Sequence, residues 1–160
     1  MRYGGGIRGI GVRSGVRVRR CRDGRVVTCS RDTTLKVWHN GVLERTIDAP
    51  DADSDGAAVL PCGTRFISGS DDETAKLWTL DGVLERIFDV GSYVWCVAAL
   101  PDGVHFVVGL GNGPNKGEVR LYHVDGTLVH TFTGHTGAVV AVAVTPDGQH
   151  IISGSGDNLV

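Results

Sequence analysis

The chain has 160 residues, of which 41% are hydrophobic and 21% charged, with a formal net charge of −2. That balance supports a buried core and excludes a compositionally disordered chain. Glycine is the outlier, with 24 residues against 5 prolines; without a G-X-Y period this excludes collagen and points to many tight turns between short strands.

The N-terminal lead is basic. Residues 1–31 hold nine arginines and one acid, Asp23, for a local charge of +8, and residues 32–160 carry −10. Residues 1–13 read as a flexible, solvated terminus. A second reading is an Arg/Gly-rich contact for RNA over residues 1–22. No signal-peptide pattern opens the chain. The longest apolar runs, 94–100 and 138–144, have seven residues each, far short of the ~20 that a membrane helix needs. Cys21, Cys29, Cys62 and Cys96 fit no C-x-x-C spacing. They are expected to be reduced and mostly buried, as in a cytoplasmic or nuclear protein. A Cys21–Cys29 bridge is the minor alternative.

From there the chain repeats itself. Ser30-Arg31-Asp32-Thr33-Thr34-Leu35-Lys36-Val37-Trp38 matches Ser70-Asp71-Asp72-Glu73-Thr74-Ala75-Lys76-Leu77-Trp78, and Val119-Arg120-Leu121-Tyr122 ends alike. Gly41-Val42-Leu43-Glu44-Arg45 recurs as Gly82-Val83-Leu84-Glu85-Arg86. A turn, Asp23-Gly24, Cys62-Gly63, Asp102-Gly103 and Asp147-Gly148, precedes a β-branched run each time. Trp38, Trp78 and Tyr122 lie 40 and 44 residues apart. Each period holds four strand-like runs; the later ones are 92–100, 104–109, 118–123, 127–132, 137–144 and 149–154. Four-stranded antiparallel units at this period are propeller blades. The expected fold is all-β, a partial β-propeller with repeats at about 14–48, 49–90, 91–133 and 134–160. The last repeat stops short of its tryptophan, which suggests a fragment of a larger ring. If the chain ends there, an unpaired strand edge predicts self-association.

The residues resemble the WD40-repeat β-propeller family. Gly134-His135, Thr145-Pro146-Asp147-Gly148 and Ser153-Gly154-Ser155-Gly156-Asp157 carry the likeness, with Trp38 and Trp78 at the place of the family's Trp-Asp end. His39 and Thr79 replace the aspartate, and Gly-His occurs once. The resemblance implies that His135, Ser153 and Asp157 belong to a structural hydrogen-bonded tetrad rather than a hydrolytic triad. No G-x-S-x-G elbow accompanies them. Thr28, Asp32 and Trp38, and Ser68, Asp72 and Trp78, are tetrad remnants lacking the histidine; each lost bond costs about 1 kcal/mol. The glycine-rich run 109–117 lacks the G-K-[ST] ending of a phosphate loop and reads as a lengthened hairpin connection.

The resemblance implies partner binding on the face carrying the start of strand a and the b–c turn. There Tyr93 and Trp95, with Arg31, are the interface anchors, and Asp53, Asp55 and Asp71 favour a basic partner segment. The alternative is that Trp95 packs between blades. No catalytic residue, metal site or cofactor is expected. The expected function is a non-enzymatic scaffold binding protein or peptide partners within a multiprotein assembly, with no membrane partner.

Overall fold

A computed structural model of the chain describes residues 17–20, 24–30, 32–49 and 54–157. The basic lead, Cys21, Arg31 and Asp53 lie outside these residues. Fourteen strands and no helix occur among those described. The first sheet is β1 (Arg17–Arg20), β2 (Val26–Cys29), β3 (Thr34–His39) and β4 (Val42–Asp48). The second is β5 (Ser54–Val59), β6 (Arg65–Ser70), β7 (Thr74–Thr79) and β8 (Leu84–Asp89). The third is β9 (Val94–Ala99), β10 (His105–Leu110), β11 (Val119–His123) and β12 (Leu128–Phe132). The last is the pair β13 (Val139–Val144) and β14 (Ile151–Ser155).

Each sheet runs in sequence order, and every pairing is antiparallel. These are consecutive blades of an unclosed β-propeller. The observed strands begin and end within two residues of the runs expected from sequence. The reason is local: the turn glycines stop each strand. Gly24, Gly63, Gly103 and Gly148 all take φ between 71° and 88°, a left-handed conformation that a side chain would strain.

The core lies between the sheets, because alternate residues of a strand face opposite neighbours. Phe66 of β6 joins Val27, Leu35, Val37 and Ile47 of the first blade, and the next residue, Ile67, joins Val94, Val97, Phe106 and Val108 of the third. Val107 turns the other way, onto Val139 and Val142 of β13. Phe88, Phe106 and Tyr122 form an aromatic knot at the second junction, with centroids 4.9 to 5.9 Å apart.

Two non-glycine residues occupy the left-handed region at the same repeat position, Thr33 (φ 63°) and Glu73 (φ 68°). Their carbonyls are thereby aimed at the end of the fourth strand. The Thr33 carbonyl accepts from Ala49 N–H at 2.9 Å, and that of Glu73 from Val90 and Gly91 N–H at 3.0 and 3.2 Å. The backbone strain fastens the b–c turn to the chain leaving the blade.

Candidate functional site

In the last blade, His135 Nδ1 stands 3.0 Å from Asp157 Oδ2, and Nε2 stands 2.9 Å from Ser153 Oγ. The Asp157 oxygen also accepts the Thr136 N–H at 2.8 Å. A carboxylate only accepts, so Nδ1 carries a proton, and in the neutral ring Nε2 accepts the Ser153 hydroxyl proton. The relay ties the loop before β13 to β14 and to the turn after it. Ser153 sits within a paired strand, and its counterparts Thr28 and Ser68 serve as acceptors. Trp38 Nε1–H donates to Thr28 Oγ1 at 3.0 Å, and Trp78 Nε1–H donates to Ser68 Oγ at 2.9 Å.

Asp32 and Asp72 turn elsewhere. Each accepts from the backbone N–H and the hydroxyl of the threonine two residues on, Thr34 or Thr74. Each also faces a lysine four residues on. Lys76 Nζ is 2.7 Å from Asp72 Oδ2 with both side chains nearly buried, and Lys36 Nζ is 3.7 Å from Asp32 Oδ2 at a more open site. Burial pushes the Asp72 carboxyl up, but hydrogen bonds from Lys76 and Thr74 outweigh it and hold it below the usual carboxylate value. In the third blade the equivalent cation is Arg120, opposite Val108. Its Nη1–H donates to the Val90 carbonyl at 2.7 Å, and its Nε–H to Glu118 at 2.9 Å. A strand-c cation thus ties the b–c turn to strand c in the first two blades, and only Arg120 of the third reaches the chain that precedes strand a. The signal was present in the repeated Asp-x-x-x-Lys spacing, which sequence reasoning passed over.

The expected binding residues are brought together in part. Trp95 Nε1–H donates to Asp71 Oδ1 at 3.0 Å, joining the third blade to the b–c turn of the second. The ring lies flat against Gly111, where any Cβ would overlap it. Gly111 N–H donates to the Tyr93 carbonyl at 2.7 Å, so the lengthened connection folds over the start of β9. Trp95 is half-buried in this clasp, while Tyr93 is 37% exposed beside it. Asp55 lies in β5, with its side chain outside the described ones; Arg31 and Asp53 are outside altogether.

Cys29 and Cys96 are buried, and Cys62 differs from them in being exposed. It occupies the turn position that Asp102 and Asp147 hold in later repeats. Burial raises its pKa, but hydrogen bonds from Thr64 and Arg65 outweigh this and lower it to about 7. No group of three or more His, Cys, Asp or Glu among the described residues is arranged to hold a metal ion. No helix among them is long and apolar enough to cross a membrane.

Comparison with known proteins gives the same picture. The chain is 33% identical over 150 residues to apoptotic protease-activating factor 1 of Rattus norvegicus, covering 84% of this chain and 12% of that protein. It is 30% identical to transcription initiation factor TFIID subunit 5 of Caenorhabditis elegans (80% of this chain, 20% of that protein). With pre-mRNA-processing factor 19 homolog 2 of Arabidopsis thaliana the identity is 28% (84% and 27%). The chain thus spans about a quarter or less of the length of these relatives. The WD40 β-propeller domain of Doa1 superposes with a TM-score of 0.74 at 29% identity, covering 85% of this chain and 45% of that one. Propellers of this kind are generally non-enzymatic protein-interaction modules. The WD domain, G-beta repeat profile matches residues 14–39, 44–79 and 126–160, more than half of the sequence. Blades, turns and matched repeats agree: the chain belongs to the WD domain, G-beta repeat family.

Proposed function

We propose that the chain is a non-enzymatic scaffold that holds a protein or peptide partner within a multiprotein assembly. The observation that carries this is the clasp at the start of β9: an exposed Tyr93 beside a Trp95 fixed to Asp71. Aromatics held in one rotamer lose little entropy on binding, and such residues anchor interfaces. The acidic residues Asp53, Asp55 and Asp71 of the sequence suit a basic partner segment. Relatives named as a transcription-factor subunit and a pre-mRNA-processing factor support an assembly role in the cytoplasm or nucleus.

The test is capture of a cross-linked partner by the wild-type chain and by Tyr93→Ala and Trp95→Ala, with folding checked by circular dichroism. Tyr93→Ala should weaken capture by about tenfold or more. Equal capture by folded variants would overturn the reading, as would an esterase activity abolished by Ser153→Ala. The second reading, RNA contact through the lead, rests on the +8 charge of residues 1–31. Removing residues 1–13 spares β1, and loss of salt-sensitive RNA binding on that deletion would favour it.

A further inference from the structure

We propose that Asn112 is a self-modifying site: its side-chain amide condenses with the backbone nitrogen of Gly113, and the product loosens the loop that backs Trp95. The inference concerns the chemistry of this loop and does not depend on whether the clasp holds a partner.

Asn112-Gly113 lies in the lengthened connection between β10 and β11, outside every strand, and Asn112 is exposed. Glycine has no side chain to hinder attack by its own nitrogen, and its backbone is permissive. What sets the pair apart is the freedom of the peptide that joins it. Neither the Asn112 carbonyl, its side-chain amide nor the Gly113 N–H makes a hydrogen bond among the described residues. The peptide plane therefore turns without breaking one. The comparable pairs are held. In the Asp-Gly turns, the N–H of Gly82, Gly103, Gly126 and Gly148 donates to the carbonyl of Thr79, Leu100, His123 and Thr145 at 2.8 to 3.2 Å. Asn40-Gly41 forms the two-residue turn of the β3–β4 hairpin, with φ of 52° and 79° and His39 paired with Val42, so turning its peptide would break the hairpin. After Asn115, the Lys116 N–H donates to the Gly113 carbonyl at 3.4 Å, and a lysine side chain crowds the attack.

The reaction needs only water. The Gly113 nitrogen attacks the Asn112 side-chain carbon Cγ. A carbon–nitrogen bond forms, the Cγ–Nδ2 bond breaks, and ammonia leaves with the proton given up by the Gly113 nitrogen. Water then opens the cyclic imide at either carbonyl. One opening leaves aspartate at position 112; the other leaves isoaspartate, in which the chain runs through the former side chain and gains one backbone atom. The loop has no slack for that atom. On one side Gly111 N–H is bonded to the Tyr93 carbonyl at 2.7 Å, and on the other an ideal Cβ on Gly113 would overlap Ser92 Oγ. Residues 111 and 113 thus rest on consecutive residues of the entry to β9. Lengthening the span between them buckles the loop and uncovers the Trp95 ring that lies against Gly111.

The test ages the 160-residue protein in mildly alkaline buffer made with heavy-oxygen water and maps it by mass spectrometry. Asn112 should take up one heavy oxygen and yield both aspartate and isoaspartate, about tenfold or more faster than Asn40 and Asn115. Asn112→Gln should remove the early phase of ammonia release. In the aged wild-type protein the Trp95 indole N–H, assigned by its loss in Trp95→Phe, should exchange with solvent faster than in fresh protein. Fresh Asn112→Asp, which has the charge without the added atom, should exchange like fresh wild type. Conversion of Asn112 no faster than that of Asn40 or Asn115, or conversion without isoaspartate, would overturn the proposal. So would unchanged Trp95 exchange in isoaspartate-rich protein, or equally fast exchange in fresh Asn112→Asp.

Discussion

Lys76 and Asp72 form a nearly buried ion pair, with side chains 8% and 12% exposed and 2.7 Å between Nζ and Oδ2. Removing one member leaves the other charge buried, which typically costs about 3–5 kcal/mol. Lys76→Met should therefore destabilise strongly in urea denaturation, and adding Asp72→Asn should recover part of the loss. The pH dependence has a definite sign. The Asp72 carboxyl is held below its ordinary 3.8 in the folded chain, so its contribution is complete above the unfolded value and disappears as pH falls through the folded one. The stability gap between wild type and Asp72→Asn should accordingly be constant at neutral pH and close below about pH 4. Cys62 gives a second residue-scale measurement. With its thiol near 7, alkylation mapped by mass spectrometry should rise with a midpoint near pH 7, ahead of buried Cys29 and Cys96. Thr64→Val removes a hydrogen bond to the sulfur, 3.4 Å long, and should move the midpoint upward.

At the scale of elements, the blades touch through glycines in the second strand. A Cβ on Gly69 would overlap Val94 and lie 2.9 Å from Val97 Cγ2; on Gly109 it would overlap Cys96 Sγ and lie 2.7 Å from Val139 Cγ1. Neither glycine is needed for its backbone angles; both are needed because β9 and β13 press against them. Gly154 holds the same repeat position, yet only Ala141 Cβ comes near it, at 4.0 Å. Gly69→Ala and Gly109→Ala should each cost about 1–3 kcal/mol through overpacking, whereas Gly154→Ala should be close to neutral in thermal unfolding. A large loss at Gly154 would mean that the last blade is packed more tightly than described.

Across the whole molecule, stability resides in junctions between neighbouring blades, as in other repeat architectures. The junction of the second and third blades buries the largest set, including Phe88, Phe106, Leu110 and Tyr122. That of the third and last rests on a smaller buried set among the described residues, including Cys96, Val107 and Val139. Native-state hydrogen exchange should find β6, β7, β9 and β10 slowest, and β13 and β14 opening first. Phe106→Ala should cost about 3–5 kcal/mol and abolish that gradient. Uniform exchange over all the sheets would contradict a chain of separately buried junctions.

The blades were legible before any coordinates because they rest on local rules. Strand alternation and turn glycines act within a few residues, so spacing alone marked the strands to within two positions, and the Trp-to-hydroxyl pairs followed from register within one hairpin. The strand-c cations could have been read the same way, since Asp32–Lys36 and Asp72–Lys76 repeat in phase; their role was hidden because an exposed-looking lysine shows its burial only once the sheets are stacked. The Trp95–Asp71 bond spans 24 residues and joins two blades, and Arg120 reaches the Val90 carbonyl across 30 residues. No spacing in one strand encodes such meetings. Repetition in the sequence dictated what each blade is, and packing of unlike blades against one another decided where an aromatic is clasped.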